Sequence, residues 1–281
     1  MNHKRHSILC PNCRKLISAD EPRCPHCGTR GPGSWYKNNL WTQSFYNPEQ
    51  LVRSIIYINI GMYFISILLF PMSFNVSLNP FTLLMPDHKS LLLLGLTGTT
   101  PIDIYHRWWT LLAANYLHGG ILHIFFNMVA LRQLAPVVIR EYGIYRMIII
   151  YTIGGVTGFL VSYLAGVRFT IGASAAVCAL IGALLYYGKS RGGVYGNAIY
   201  TQVVGWVVGL FLFGLMARGI INNWGHGGGI VAGALLGFML GYADKIKENI
   251  VHKTIAGVCA IATILTLGWA VVSSILYRIM S

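Results

Sequence analysis

Seven apolar stretches, near residues 53–73, 117–139, 144–166, 172–188, 198–218, 224–243 and 254–278, constrain this chain more than any other feature. A hydrocarbon core about 30 Å thick takes about 20 residues of helix to cross. Within it every backbone N–H and C=O must find a partner inside the protein. The expected architecture is therefore an all-α polytopic membrane protein with seven spans. Composition agrees: 55% of the residues are hydrophobic and 10% charged, too apolar a balance for a soluble domain.

The net charge of +13 reads as topology and does not imply nucleic acid. With the N-terminus inside, 16 of the 21 Lys and Arg fall in cytoplasmic segments, the asymmetry that the positive-inside rule requires. Residues 1–50 contain no apolar segment of signal-peptide type, so a cytoplasmic N-terminus and an outer C-terminus are expected. The lipid bilayer, with its anionic headgroups, is an expected partner.

Ahead of the spans, Cys10-Pro11-Asn12-Cys13 and Cys24-Pro25-His26-Cys27 form two C-P-x-C knuckles. Four thiolates at this spacing suit one tetrahedral Zn²⁺, and a cytoplasmic location argues against a pair of disulfides. A site closed by four cysteines leaves no open coordination position, so the metal is expected to be structural. Cys178 and Cys259 lie in spans and read as small packing residues. Trp35, Tyr36, Trp41, Phe45 and Tyr46 then suit an interfacial segment on the inner leaflet.

Ser174 sits in "GASAAVCALIGALL", and on local pattern alone it reads as one more small residue at a helix contact. Its context suggests more. His118, His123 and Asn127 open the second span and His226 opens the sixth. Spans two, four and six all enter from the outer face in the expected topology. At about 1.5 Å per residue, these residues then fall within roughly 15 Å of one boundary and can meet. His123 and Asn127, four apart, share a helix face. A serine meeting a histidine can act as nucleophile and general base. The opening turn of a helix, with His123 and Asn127 as further donors, can stabilise an oxyanion. None of the eight acidic residues falls in the middle of a span, and no H-E-x-x-H occurs. An aspartyl dyad and a zinc protease are thereby excluded, and a proton-coupled transporter is disfavoured.

"HGGILHIFFN", "GAS" and "GHGGGIVAG", in that order and separation, make the chain resemble the rhomboid family of intramembrane serine proteases over about residues 50–245. The resemblance implies a six-helix core plus a seventh span. It implies Ser174 as nucleophile and His226 as general base, with the oxyanion bound by the Ser174 N–H, His123 and Asn127. His118 and Gly172 are implied as structural residues near the site. No cofactor is implied for catalysis, and the substrates implied are single-pass transmembrane proteins cut in or near the membrane. Gly229, Gly233, Gly237 and Gly241 are expected to form a ladder that lets the sixth helix approach the fourth.

Two positions depart from the family pattern. Ala175 stands where a glycine usually follows the serine, and "RWWTLL" at 107–112 places Thr110 where an arginine is common. Two competing readings follow: a catalytically impaired relative that binds transmembrane segments for quality control, and a metal site built from His118, His123 and His226. The expected organisation is a four-cysteine zinc-ribbon-like finger over 1–30, a linker over 31–52, the six-span core over 53–245 and an added span over 246–281. The expected location is a plasma membrane, bacterial in type, with the active site toward the outer face. The apolar run "SLLLLGLTG" in the outer loop of about 74–116 is too short to cross a bilayer, and "RGIINNW", 218–224, is a candidate lid.

Overall fold

The computed structural model describes residues 7–11, 13–34, 47–71, 83–216 and 221–280. The expected interfacial aromatics at 35–46 lie outside them, as do residues 74–82 of the outer loop and 218–220 of the candidate lid. The chain divides into two compact units, Met1–Ile55 and Ile56–Ser281.

In the first unit, β1 (Ser7–Leu9) and β2 (Leu16–Ser18) pair antiparallel with Ile8 opposite Ile17. The turn between them carries Cys10 and Cys13. A second turn carries Cys24 and Cys27 and repeats the same backbone arrangement: Arg14 N–H donates to Cys10 O, and Gly28 N–H to Cys24 O, both at 2.9 Å. Cys10, Ile17 and Cys24 are buried, with Ile8 and Cys13 packed on them. So small a core needs a further staple to stand alone.

The helices follow in chain order: α1 (Pro48–Leu69), α2 (His88–Leu94), the single turn α3 (Thr110–Ala113), α4 (Ile121–Tyr142), α5 (Ile144–Leu164), α6 (Ser174–Arg191), α7 (Gly193–Met216), α8 (Asn223–Leu240) and α9 (Ile250–Met280). Each of the seven expected spans coincides with a long helix. Among the described residues, α1, α4, α5 and α9 are long and apolar enough by themselves to cross a membrane. The 18 residues of α6 and of α8 give about 27 Å each. The fold class expected from the sequence, a helical membrane bundle with a small Cys-rich finger, is the one observed.

Two boundaries differ in a way that matters. The second span starts at Ile121, so His118 precedes the helix in an extended segment that Gly119 and Gly120 close off. The run "SLLLLGLTG" forms α2, which stops at Gly95 in the left-handed region.

At the centre lies α6, buried continuously from Ala175 to Leu184. Its most extensive neighbour is α8, with α5, α7 and α4 around it. A helix enclosed on all sides needs small residues rather than an apolar stripe, which is why this segment carries no amphipathic pattern. A side chain at Gly229 would strike the Ala175 carbonyl, one at Gly233 the Ala179 carbonyl, and one at Gly182 of α6 the Ile230 carbonyl of α8. Gly237 continues the contact beside Ala183. The fourth expected rung is corrected: Gly241 is the C-cap of α8 at φ +65, against Ile246, and belongs to the turn leaving the helix.

Candidate active site

Between α2, α4, α6, α7 and the start of α8 lies a cavity of about 1150 Å³. Ser174, His226, His123 and Asn127 all line it. Four residues drawn from three helices and spread over 104 positions of sequence are thus brought to one space. Ser174 is the first residue of α6 and is half-buried, with Ala173 at the N-cap. The unpaired N–H groups of that first turn face the site with the positive end of the helix dipole.

Hydrogen bonding sets the tautomer of His123. Its Nδ1 accepts the Gly119 backbone N–H at 3.3 Å, so the neutral ring carries its proton on Nε2. Nε2 is the atom turned toward Gly172 and Ser174. A methyl on Gly172 would come 2.6 Å from it and 3.5 Å from Ser174 Oγ. Asn127 Nδ2 donates one hydrogen to the His123 carbonyl at 2.8 Å and keeps a second. Two donors are therefore available in the cavity that Ser174 lines. Gly172 itself sits at φ +128 with its N–H on the Ala114 carbonyl at 2.9 Å, a backbone that only glycine adopts without strain.

His226 lies in the first turn of α8 and its Nδ1 is buried without a hydrogen-bond partner among the described residues. Ser174 and His226 make no hydrogen bond to each other in this structure. His118 is fully buried, outside the cavity lining, with its ring 5.1 Å from that of His123, edge to face. It supports the site from behind.

The departures from the family pattern acquire physical explanations. Ala175 does not line the cavity: its methyl is buried with Ile102, Leu111, Ala114 and Phe159, opposite Gly158 of α5. The space a glycine at 175 would leave is supplied by the glycine at 158. Ala175→Gly is therefore expected to cost about 1 kcal/mol of stability, from helix propensity and lost packing, while changing the activity of the folded protein less than about threefold. Thermal unfolding beside turnover measures both. Thr110 is buried, with its Oγ1 2.9 Å from Thr97 Oγ1 and 2.6 Å from the Arg107 carbonyl, and Arg107 donates to the Leu92 carbonyl at 3.2 Å. The segment over 92–110 is tied by these bonds instead of by an arginine at 110.

Asn222 was missed by sequence reasoning, although an Asn ahead of an apolar helix is a legible N-cap signal. Its Oδ1 accepts the Gly225 N–H at 3.0 Å. Its Nδ2 donates to Ser162 Oγ of α5 at 2.7 Å and to Thr170 Oγ1 at 2.8 Å. Thr170 in turn pairs its backbone with Thr97 in a two-bond bridge.

Away from the cavity, the thiol sulfurs of Cys10, Cys13, Cys24 and Cys27 all lie within 4.8 Å of one another. Two of the separations are 3.6 Å, close to the roughly 3.8 Å edge of a tetrahedron with metal–sulfur bonds of about 2.3 Å. The Thr29 hydroxyl, followed by its backbone N–H, holds the Cys27 thiol down to about 5. Among the described residues no other group of three or more His, Cys, Asp or Glu is close enough to share a metal ion, so the three histidines do not assemble a metal site.

Known proteins resemble this chain over the helical region. The family model for the rhomboid domain matches residues 105–243. The chain is 35% identical over 135 residues to Rhomboid protease GluP of Bacillus subtilis (strain 168), covering 48% of this chain and 26% of that protein. It is 32% identical over 167 residues to RHOMBOID-like protein 4 of Arabidopsis thaliana, covering 59% and 42%. With RHOMBOID-like protein 5 of the same plant it shares 35% over 164 residues, covering 56% and 52%. The chain spans between a quarter and about half of the length of these relatives.

Proposed function

We propose that this chain, which belongs to the rhomboid family through residues 105–243, is an intramembrane serine endopeptidase that cleaves other membrane proteins in or near a transmembrane segment. The observation that carries the reading is the one cavity shared by Ser174, His226, His123 and Asn127. Ser174 Oγ attacks the scissile carbonyl carbon as the His226 imidazole takes the hydroxyl proton. This step brings the two within hydrogen-bond reach, about 2.6–3.2 Å. The carbonyl oxygen becomes an oxyanion facing His123 Nε2–H, the second Asn127 N–H and the Ser174 backbone N–H. Collapse breaks the C–N bond, and His226 returns its proton to the leaving amine. Water then repeats the sequence on the acyl-enzyme and frees Ser174.

No third carboxylate is required by this scheme, and no catalytic metal. A scissile segment in helical form shields its carbonyls in its own hydrogen bonds, so substrates with small side chains and a locally unwound stretch are favoured. Single-pass membrane proteins fit that description. The proposed setting is a plasma membrane of bacterial type, N-terminus inside and C-terminus outside, with the cavity opening toward the outer face. Seven spans, α1 and α4 to α9, belong to the same proposal.

The test is cleavage of a single-span reporter by the purified protein in liposomes. Cleavage supports the reading. A folded parent that binds several reporters without cutting any would replace it with the binding-protein reading.

We further propose one structural Zn²⁺ held by Cys10, Cys13, Cys24 and Cys27 in a closed four-thiolate site. Metal analysis of the purified chain should find about one zinc per molecule, lost in Cys10→Ser/Cys24→Ser. A second zinc that disappears with His226→Ala would show a metal in the cavity and overturn the metal-free dyad.

A further inference from the structure

In a three-residue hydrolase site, a hydrogen-bonded third side chain orients the imidazole. Here Nδ1 of His226 is buried with no hydrogen-bond partner among the described residues. The ring's position must then come from the placement of α8 itself. One residue holds the start of that helix. Asn222 stands one turn before His226, and its carbonyl accepts the His226 N–H at 3.1 Å. Its side chain uses all of its donors in two directions: to Ser162 in α5 at 2.7 Å and to Thr170 at 2.8 Å, four residues ahead of Ser174. Its Oδ1 caps α8 on Gly225 at 3.0 Å. Three segments that otherwise meet through small, apolar contacts are thereby fixed in register: the helix of the base, the segment leading to the nucleophile, and α5, which packs against both.

We propose that Asn222 is a positioning residue for the proteolytic reaction, holding the helix that carries His226 in register with the one that carries Ser174. The inference rests on the hydrolytic reading above. Asn222 lines the cavity, but its side-chain hydrogen bonds all run to the protein, to Ser162, Thr170 and Gly225, so its loss should slow the serine's chemistry far more than it weakens substrate binding. A misplacement of about 1 Å can cost roughly a hundredfold in rate. An aspartate at 222 keeps the acceptor for Gly225, and the Ser162 and Thr170 hydroxyls can turn to donate to it. It should therefore rescue the function that alanine loses.

The experiment uses the full chain in liposomes and reads two rates: turnover of the single-span reporter, and labelling of Ser174 by a fluorophosphonate, which needs the dyad but no peptide. Well below the unfolding temperature, Asn222→Ala is expected to lower kcat and the labelling rate by roughly ten- to a hundredfold with KM within about twofold. Asn222→Asp should stay within about threefold of the parent. Thr170→Val should reproduce part of the loss and add little to Asn222→Ala. A folded Asn222→Ala protein with parental kcat and labelling, its unfolding temperature alone reduced, overturns the inference and leaves the protease intact. A parent that neither labels nor cleaves overturns the hydrolytic reading and this inference together.

Discussion

Ser174→Ala and His226→Ala are each expected to lower reporter cleavage by about 10⁴-fold or more, and the double variant to lower it no further than either alone. The magnitude follows from the division of labour in the cavity. The hydroxyl is the proposed attacking group, and without His226 it loses its general base, because His123 turns its protonated Nε2 toward the serine and its accepting Nδ1 to Gly119. Each group is useless without the other, so the two losses do not add. The fold should be almost indifferent to the serine change. Ser174 is the first residue of α6, half-buried, and its Oγ makes no hydrogen bond in this structure, so alanine removes chemistry and leaves packing intact. Fluorophosphonate labelling beside reporter cleavage gives the check. Residual cleavage of more than about one part in a hundred by a homogeneous Ser174→Ala protein would mean that the nucleophile is another group.

How much of this could be read from the chain alone depended on the kind of contact involved. The helices were legible because bilayer crossing demands long apolar runs, and every expected span has its helix. On local pattern the small residues around Ser174 are packing residues, and so they are: Ala175, Ala179 and Gly182 of α6 meet α8 and α5 at backbone distance. What the serine adds is its place at the helix's first turn, which pattern alone does not separate from its neighbours. Gly241 shows the limit of reading by spacing. A four-residue repeat continues through it in sequence, yet the helix ends there and the glycine is used for its positive φ. The consequence of Ala175 was hidden for a different reason. Whether a methyl intrudes on a site depends on which way it points, and here it points at Gly158, seventeen residues earlier on another helix. The bonds of Asn222 to Ser162 and Thr170 join residues 60 and 52 positions apart, beyond the reach of any local pattern. The four cysteines were legible for the opposite reason, since two C-P-x-C turns fix each pair locally and only their meeting is left to the fold.

Gly172→Ala should separate the oxyanion-binding geometry from the dyad. The added methyl would stand 2.6 Å from His123 Nε2 and 3.5 Å from Ser174 Oγ, in the space where the developing oxygen must sit. His123 cannot simply withdraw, because its Nδ1 is engaged by the Gly119 N–H and its ring is backed by the buried His118. Loss of one oxyanion donor costs about 10²–10³-fold in kcat, and the obstruction of the oxygen's own position places the expected loss at the upper end of that range. A second effect has the same origin in the backbone: at φ +128 an L side chain is strained, for a stability cost of about 1–3 kcal/mol. The two effects are told apart by measuring kcat on protein shown to be folded, at a temperature well below its unfolding transition. Ala175→Gly is the matched control three positions along. It makes the reverse exchange of methyl and hydrogen on the far side of Ser174, where the methyl faces the helix core and not the cavity. If both variants reduced turnover equally at equal folded fraction, the cavity would not be the place where the oxyanion forms. If only Gly172→Ala does so, the donor assignment to His123 stands on a substitution that replaces neither Ser174 nor His226.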